Sequence, residues 1–311
     1  MLLAVFLTAG MGGCDVLHDD LSECDLYLRF RYDYNLARED WFADQVEAVK
    51  VFLFSAEGKY LQTLTESGAA LKKPEYRMPI PYRLKGCTAV VWAGKTERFY
   101  SLPVMSAGDP IEKLVLKYAP GENVSSNHLD ALWHSGPQPL FTEGYTGDTE
   151  TASLVRNTND VTVGISRGNT PLDVSGFDIV IKSADGAYNY KNELSDGTRP
   201  ITYCPCPEED NGVTSLSEAR LHTLRFVKGS DITFSITEKS TGKAIDIGGG
   251  TQIDLIGYLL RSKPEGMGDQ EYLDRRYLWD IRIRLGEGGD AYLALCITIN
   301  NWVYWFYPTD L

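Results

Sequence analysis

The sequence predicts an all-β protein that consists of two β-sandwich domains in tandem. Its 311 residues are too many for one ordinary core, since single domains usually hold roughly 150 residues. Segments with the alternation and composition of strands are frequent, whereas long helical periodicity is scarce. A strand–loop–strand pattern occurs in both halves, and each copy ends in a similar predicted hairpin turn, SAEGKY at 55–60 and SADGAY at 183–188. This repeat predicts two similar domains.

The first element is typical of a bacterial lipoprotein signal rather than of a core strand. Leu2–Ala9 has the length of a signal-peptide apolar region, and the residues MGG at 11–13 precede Cys14. This arrangement resembles a lipobox, whose cysteine is lipidated and becomes the first residue of the mature chain. We therefore expect a signal peptide at 1–13. We also expect diacylglycerol and an acyl chain such as palmitate on Cys14, and no other cofactor.

A polar tether and two domains are expected after the signal peptide. The tether covers 14–24 and is acidic. The N-terminal β-sandwich domain is expected at 25–149 and the C-terminal one at 150–311. The boundary falls in GYTGDTETAS at 144–153, because small, polar, turn-forming residues are common where domains join.

The predicted strands share β-branched and aromatic residues, with polar residues alternating in most of them. In the first domain they are Asp25–Tyr32, Val49–Phe54 and Thr88–Ala93. The run Thr88–Ala93 is almost continuously apolar, which is typical of a central strand buried on both faces. In the second domain they are Val161–Ile165, Phe177–Ile181, Leu221–Phe226, Asp231–Thr237, Thr251–Leu260 and Tyr277–Leu285.

The last predicted strand, Ala291–Tyr307, is long and rich in aromatic and β-branched residues. An exposed strand of this kind promotes aggregation, so it must pair within the fold or with a partner. The candidates for contact with a partner strand are Ile297, Ile299, Trp302, Val303 and Trp305. The aromatic residues alternate along the strand and so divide between two faces, which disfavours a flat sugar-binding platform.

Composition excludes some classes of partner. The net charge of −13 repels phosphate backbones, so nucleic acid is not an expected partner. No apolar run reaches the roughly 20 residues that cross a bilayer as a helix. The expected link to a membrane is therefore the lipid on Cys14.

Cysteine spacing indicates neither a zinc ribbon nor a thioredoxin-like site, because no C-x-x-C occurs. An exported chain permits disulfides, and Cys24 and Cys87 form a plausible pair because each lies next to a predicted strand. Cys204 and Cys206 are too close to bridge easily to each other. Cys296 is expected to be buried with a free thiol.

No catalytic motif is convincing. Gly94-Lys95-Thr96 follows a strand as in a P-loop, but the required glycine five residues earlier is Ala89. His128 and His134 match no metal-ligand spacing and are expected on surface loops. No G-x-S-x-G occurs. The sequence therefore predicts a protein that is not an enzyme and has no metal site.

Several segments resemble the fimbrial anchor family of Bacteroides-type bacteria, which includes the minor-fimbrium anchoring subunit and its relatives. The resemblance extends over essentially the whole mature chain, and the matching segments occur in order along it. They are CDLYLRFRYDYN at 24–35, VKVFLF at 49–54, LVRNTNDVTV at 154–163, ADGAY at 184–188, ARLHTL at 219–224, QEYLDRRY at 270–277 and ITINNWV at 297–303.

The resemblance implies a lipoprotein of the outer membrane with two transthyretin-like β-sandwich domains and no catalysis. It places the chain in a surface fimbria, as the anchor at its base. Its partners would be fimbrial stalk or accessory subunits, joined by strand exchange, and a host or bacterial surface ligand is a further option.

Two alternatives remain open. Stalk subunits of such fimbriae lose their first strand to an arginine-specific protease, and Arg29, Arg31 and Arg38 lie in or near this strand. A stalk or tip position therefore competes with the base position. The other alternative is a surface glycan-binding lipoprotein of a nutrient-uptake system, which would share the lipid, the acidity and the sandwich architecture.

Overall fold

A computed structural model describes residues 26–119, 123–195, 200–207, 217–287 and 292–306. The predicted signal peptide at 1–13, the tether at 14–24, the lipidation site Cys14 and the predicted disulfide partner Cys24 lie outside these residues. Among the described residues, no helix is long and apolar enough to cross a membrane.

The described chain is mostly β-strand. The strands of the first half are β1 (Leu26–Arg31), β2 (Ala48–Phe54), β3 (Tyr60–Ser67), β4 (Met78–Ile80), β5 (Thr88–Gly94), β6 (Tyr100–Ser101), β7 (Leu116–Tyr118), β8 (Val124–Ser125), β9 (Leu132–Pro139) and β10 (Thr149–Ser153). Those of the second half are β11 (Val155–Arg156), β12 (Thr158–Arg167), β13 (Thr170–Pro171), β14 (Phe177–Ser183), β15 (Ala187–Tyr188), β16 (Ile201–Tyr203), β17 (Glu218–Leu224), β18 (Ile232–Glu238), β19 (Lys243–Ala244), β20 (Ile253–Asp254), β21 (Leu278–Leu285), β22 (Ala294–Ile299) and β23 (Trp302–Trp305). The helices are α1 (Phe42–Gln45), α2 (Leu255–Leu260) and α3 (Asp269–Arg275). The predicted all-β fold class is confirmed.

The first sandwich packs a three-stranded sheet, β10-β1-β4, on a five-stranded sheet, β11-β9-β5-β2-β3. Leu28 and Phe30 of β1 meet Val51 of β2 and Val91 of β5 in one core. The opposite face of β5 is also covered, since Val90 and Trp92 lie in the second core. The prediction that this strand is central and buried on both faces is confirmed.

The second sandwich packs two larger sheets against each other. One has the order β13-β12-β21-β22-β23, with β17 also paired to β12, and the other has the order β19-β18-β14-β16-β8, with β20 paired to β18. Alternate residues of β14 and β21, beginning with Phe177 and Trp279, are buried, whereas the residues between them are more exposed. This alternation is what a strand shows when one face is buried and the other meets solvent.

Strands from the first half also complete sheets of the second half. β7 pairs with β15, with Lys117 opposite Ala187, and β8 pairs with β16, with Ser125 opposite Tyr203. β10 begins at Thr149, continues past the predicted boundary, and pairs in parallel with β1. The division at 149/150 stays a prediction, and the structure links the two halves on both sides of it.

The prediction of a strand at Thr251–Leu260 is wrong for most of its length. Only Ile253–Asp254 is extended, and α2 follows at once. Leu255, Ile256 and Leu259 are buried while intervening residues are more exposed, which gives the helix one apolar face. A short apolar run fits a buried helix as well as a strand, because its length does not distinguish the two periods.

The two similar turns do not adopt the same structure. In SAEGKY, Gly58 has φ +73° and joins β2 to β3 as a hairpin, as predicted. In SADGAY, the chain does not fold back, because β15 pairs with β7 instead of with β14. Asp185 of this second turn is buried. The expectation of a second hairpin was therefore wrong.

Candidate functional site

The candidate site is the outer edge of β23, which ends one of the large sheets. Ile297 of β22 lies opposite Tyr304, and Ile299 lies opposite Trp302. Among the described residues no strand pairs with the other edge of β23. Its outward main-chain groups can therefore form hydrogen bonds with an added strand.

The prediction of one long strand at Ala291–Tyr307 is wrong, because the segment forms the β22–β23 hairpin. Asn300 and Asn301 have φ values of 50° and 73°, which two-residue hairpin turns require and asparagine tolerates. The Asn300 main chain donates to the Asp280 carbonyl (3.0 Å), and its side-chain oxygen accepts from the Asp280 N–H (3.1 Å). The turn is therefore fixed to β21.

The structure separates the five partner-strand candidates into two groups. Ile297 and Ile299 are completely buried in the chain's own core. Their strand, β22, lies between β21 and β23. Because both side chains are covered by the core, they do not contact a partner in this arrangement. Trp302, Val303 and Trp305 are 60%, 49% and 51% exposed, respectively. These three residues, which we call the edge patch, are the part of the prediction that lies at the surface.

Two arginines lie beside the hairpin. The Arg284 guanidinium is 5.8 Å from the centre of the Trp305 ring, and that of Arg261 is 5.6 Å from the Tyr304 ring. Such cation–π contacts stabilise the partly exposed aromatic rings, and the two guanidinium groups place positive charge beside this edge. The arrangement can accept an extended strand that carries apolar residues and acidic groups.

The first strand occupies an internal position. β1 lies between β10 and β4, so its main chain is paired on both sides. Arg29 is exposed, and Arg31 forms ion pairs with Asp33 (2.9 Å) and Asp40 (3.6 Å). Removal of β1 would leave two neighbouring strands unpaired and open the first core.

The described cysteines have free thiols. Cys87 is buried, and burial raises the pKa of its thiol to about 11, so it is a poor nucleophile. Because Cys24 lies outside the described residues, the Cys24–Cys87 pair stays a prediction. Cys204 and Cys206 are half-buried and unbridged, and Cys296 is buried with a free thiol, as expected.

The Gly94-Lys95-Thr96 segment has a structural explanation. Gly94 has φ +103°, and a Cβ on it would lie 2.1 Å from the Ala131 carbonyl oxygen. Only glycine fits such a close main-chain approach. Lys95 pairs with Glu47 (2.6 Å), and the Thr96 hydroxyl accepts a hydrogen bond from Lys50 (2.8 Å).

The expectation of surface histidines is wrong for His134. Its ring is buried, lies 4.5 Å from the Trp92 ring, and has Nε2 3.1 Å from the Tyr190 carbonyl oxygen. Burial lowers the pKa of His134 to about 3, so the ring is neutral and donates to that carbonyl. The pattern of one strand, LWHSGPQP, did not show that both of its faces would be covered.

Comparisons with known proteins agree on one family. The family model of fimbrillin-A associated anchor proteins Mfa1 and Mfa2 matches residues 21–307. The minor fimbrium anchoring subunit Mfa2 of Porphyromonas gingivalis is 22% identical over 320 residues, which cover 98% of this chain and 94% of that protein.

Solved structures share the fold. The fimbrial anchor protein Mfa2 of P. gingivalis has a TM-score of 0.70 at 21% identity, covering 91% of this chain and 99% of that one. A Bacteroides thetaiotaomicron protein that has been proposed to bind polysaccharide has a TM-score of 0.79 at 28% identity, covering 91% and 98%. A Bacteroides ovatus protein proposed to be an adhesin has a TM-score of 0.76 at 23% identity, covering 96% and 100%.

The family match covers most of the chain and includes every described strand. Members of this family are structural anchor proteins of fimbriae at the cell surface, not enzymes. The sequence segments, the double sandwich and the matched length all lead to the same assignment. This chain belongs to the family of fimbrillin-A associated anchor proteins Mfa1 and Mfa2.

Proposed function

We propose that this protein holds a surface fimbria to the outer membrane through a lipid on Cys14 and joins the next subunit by strand pairing. The single observation that supports the joining step best is the edge of β23, where Trp302, Val303 and Trp305 are exposed beside unpaired main-chain groups. A strand added there would gain main-chain hydrogen bonds and would bury apolar surface.

The base position is favoured over a stalk position by the place of β1. A stalk subunit gives up its first strand, whereas β1 here contributes Leu28 and Phe30 to a core and pairs with strands on both sides. Retention of this strand also keeps the chain continuous with Cys14. The polypeptide between the lipid and the first core is then an uninterrupted tether.

Glycan binding is the second candidate function, because the similar B. thetaiotaomicron protein has been proposed to bind polysaccharide. The edge patch suits this function less well. Trp302 shares a sheet face with Tyr304, whereas Val303 and Trp305 share the other face. A sugar ring would meet no flat row of aromatic side chains at this edge.

The anchor function is tested by replacing the lipidated cysteine. In cells that carry Cys14→Ala, filaments should be released into the medium, because the strand-paired polymer no longer has a lipid to retain it. The measurement is the ratio of filament protein in the medium to that on cells. Cys296→Ala is the matched control and should leave filaments on the cells. Filaments that remain on Cys14→Ala cells would exclude the lipid as the anchor.

A further inference from the structure

A concave site lies at one end of the C-terminal sandwich and shares no residue with the edge patch. It is an open cavity of about 560 Å³ between the end of β12 and the end of β18. This volume lies within the range of small-molecule sites, roughly 300–1,000 Å³. Leu172 and Phe177 provide its apolar wall, and Ser175 and Ser240 provide hydroxyl groups.

Arg167 is the unusual residue of this cavity. Its side chain lines the cavity and is half-buried, and its Nε atom is shielded from solvent without a hydrogen-bond partner among the described residues. A buried donor that lacks an acceptor is unfavourable, so such donors are rare in folded proteins. The guanidinium can be satisfied by an acceptor that enters the cavity.

The other charged groups of the cavity already have partners. Lys239 donates to the Ser175 carbonyl (2.9 Å), and Asp173 accepts from the Ser175 N–H (2.9 Å). Glu238 accepts from the hydroxyl groups of Thr241 (2.8 Å) and Tyr292 (2.9 Å). The hydrogen bond from Thr241 is the largest cause of the lowered pKa of the Glu238 carboxyl, and the charge of Arg167 also contributes. The Arg167 Nε nevertheless has no hydrogen-bond partner among the described residues, so Arg167 is the cation available to a ligand.

The chemistry of the site selects a carboxylate. Arginine offers Nε–H and Nη–H in one plane, a geometry that matches the two oxygens of a carboxylate. The carboxylates of Asp173 and Glu238 line the same cavity and disfavour a single group that brings two negative charges to Arg167, such as a phosphate monoester.

The surroundings favour a sugar acid over a peptide. The Lys239 N–H donates to the Gly176 carbonyl (2.9 Å), so the two loops that form the walls are bonded to each other. Apolar side chains beside hydroxyl groups suit a pyranose ring, which presents C–H and O–H groups. We propose that this cavity binds the carboxylate of an acidic saccharide through Arg167.

This proposal does not depend on the anchor role and is tested by binding to the purified protein. Trigalacturonic acid is titrated calorimetrically, with maltotriose as the neutral probe and hexaglutamate as the acidic peptide. Saturable binding of trigalacturonic acid alone is expected. Arg167→Gln should weaken it at least tenfold, and Arg167→Lys should weaken it by a smaller factor, since lysine keeps the charge but loses the planar pair of donors.

Arg220→Gln is the matched control. Arg220 is an exposed arginine of the same half, and its substitution removes the same charge as Arg167→Gln. It should bind trigalacturonic acid like the wild type. The melting temperature of each variant shows whether it is folded. If Arg167→Gln is not folded, the comparison of Arg167→Lys with the wild type tests the proposal. No saturable binding, equal binding of maltotriose, tighter binding of hexaglutamate, or an equal loss in Arg220→Gln would each overturn the proposal.

Discussion

Asp185 is a buried carboxyl group whose charge the fold does not fully compensate. The Tyr203 hydroxyl donates to its Oδ1 (2.9 Å), while Oδ2 has no partner among the described residues. Burial is the largest effect and raises the pKa of Asp185 to about 7. The folded state therefore holds a proton that the unfolded chain, with a pKa near 3.9, releases earlier.

The sign of the resulting pH dependence follows from this difference. Between about pH 4 and pH 7 the folded protein binds more protons at Asp185 than the unfolded chain does. The contribution of Asp185 to the free energy of unfolding therefore falls as the pH rises through this window. His134 acts in the opposite sense, because burial lowers the pKa of its ring and its contribution is lost as the pH falls below about 6.5.

Asp185→Asn should stabilise the protein at pH 8 and change its stability little at pH 4. The asparagine removes a buried charge at the higher pH, and three pKa units set an upper limit of about 4 kcal/mol on the gain. Urea unfolding at both pH values measures the effect, with Asp178→Asn as the exposed control. A loss of stability at pH 8 would contradict the assignment of a raised pKa to Asp185.

Residues of this kind could not be recognised from the sequence. His134 occurs in a polar-looking segment, and Asp185 occurs in a turn whose copy at Glu57 is exposed. Their burial depends on which strands the topology places over them, and those strands come from distant parts of the chain. Gly94 is similar, because the carbonyl that excludes a side chain belongs to Ala131.

At the scale of elements, strands with regular alternation could be predicted and short apolar segments could not. β1, β14 and β21 were predicted within a few residues, because one buried face imposes a period of two. α3 was missed, although Glu271 and Arg275 form an i,i+4 ion pair (2.8 Å) that is typical of a helix. The Asn300-Asn301 pair was a turn signal within the last predicted strand.

Lysine in the edge patch should block the joining of subunits. Val303→Lys and Trp305→Lys place a charge where an added strand would bury its side chains, and lysine on an edge strand opposes pairing. We expect the amount of this protein in filament-bound complexes to fall at least tenfold, as measured by pull-down of assembled fimbriae. Both variants should remain folded, because the original side chains are half-exposed.

Leu278→Lys is the matched control for the edge patch. Leu278 is 54% exposed and belongs to the same sheet, but its strand β21 is paired on both sides. Assembly should be unchanged in this variant. If the control and the edge variants lose assembly equally, or if neither edge variant loses it, the joining surface lies elsewhere.

At the scale of the molecule, the two halves are bonded to each other at several points. The Asn157 N–H, just after β11, donates to the Leu132 carbonyl of β9 (2.6 Å). The Leu36 N–H donates to the Arg275 carbonyl (3.1 Å), which fixes the loop after β1 to α3. A pull on the tether is therefore transmitted to the C-terminal half through this loop as well as through the first sandwich.

These links could not be predicted, because each joins segments that are far apart in sequence. Composition correctly indicated an all-β chain, whereas the repeat, whose second hairpin does not form, leaves the division into two domains a prediction. Neither observation contains information on which strands cross between the halves. The pairing of β7 with β15 and of β8 with β16 depends on the final topology alone.

The buried pair of Arg225 and Asp274 (2.7 Å) should contribute strongly to the stability of the C-terminal half. Arg225 also donates to the Asn192 carbonyl (2.7 Å), and the Asn192 side chain exchanges hydrogen bonds with that of Asn157 (2.5 and 3.0 Å). Arg225→Met leaves the Asp274 carboxylate buried without its partner and should lower the free energy of unfolding by about 3–5 kcal/mol. Chemical denaturation measures the loss.

Lys228→Met is the control for Arg225→Met. Lys228 pairs with Asp269 (2.7 Å) but is 58% exposed, so its loss should cost less than about 1 kcal/mol. Equal effects of the two substitutions would contradict the importance of the buried pair.

Calorimetry should show one unfolding transition for the wild-type chain, because the halves share sheets and a core. Two separate transitions would show that the halves unfold independently.

The central claim, a lipid-held base subunit joined to a filament by paired strands, is tested most directly by an immunoblot of outer-membrane extracts. Samples are run without reductant, unheated and boiled, and probed for this chain. Strand-paired filaments unfold slowly, so the unheated lane should contain a ladder of high-mass bands that collapses to the monomer on boiling. A single monomer band in both lanes would contradict the anchor function and would favour a monomeric surface protein.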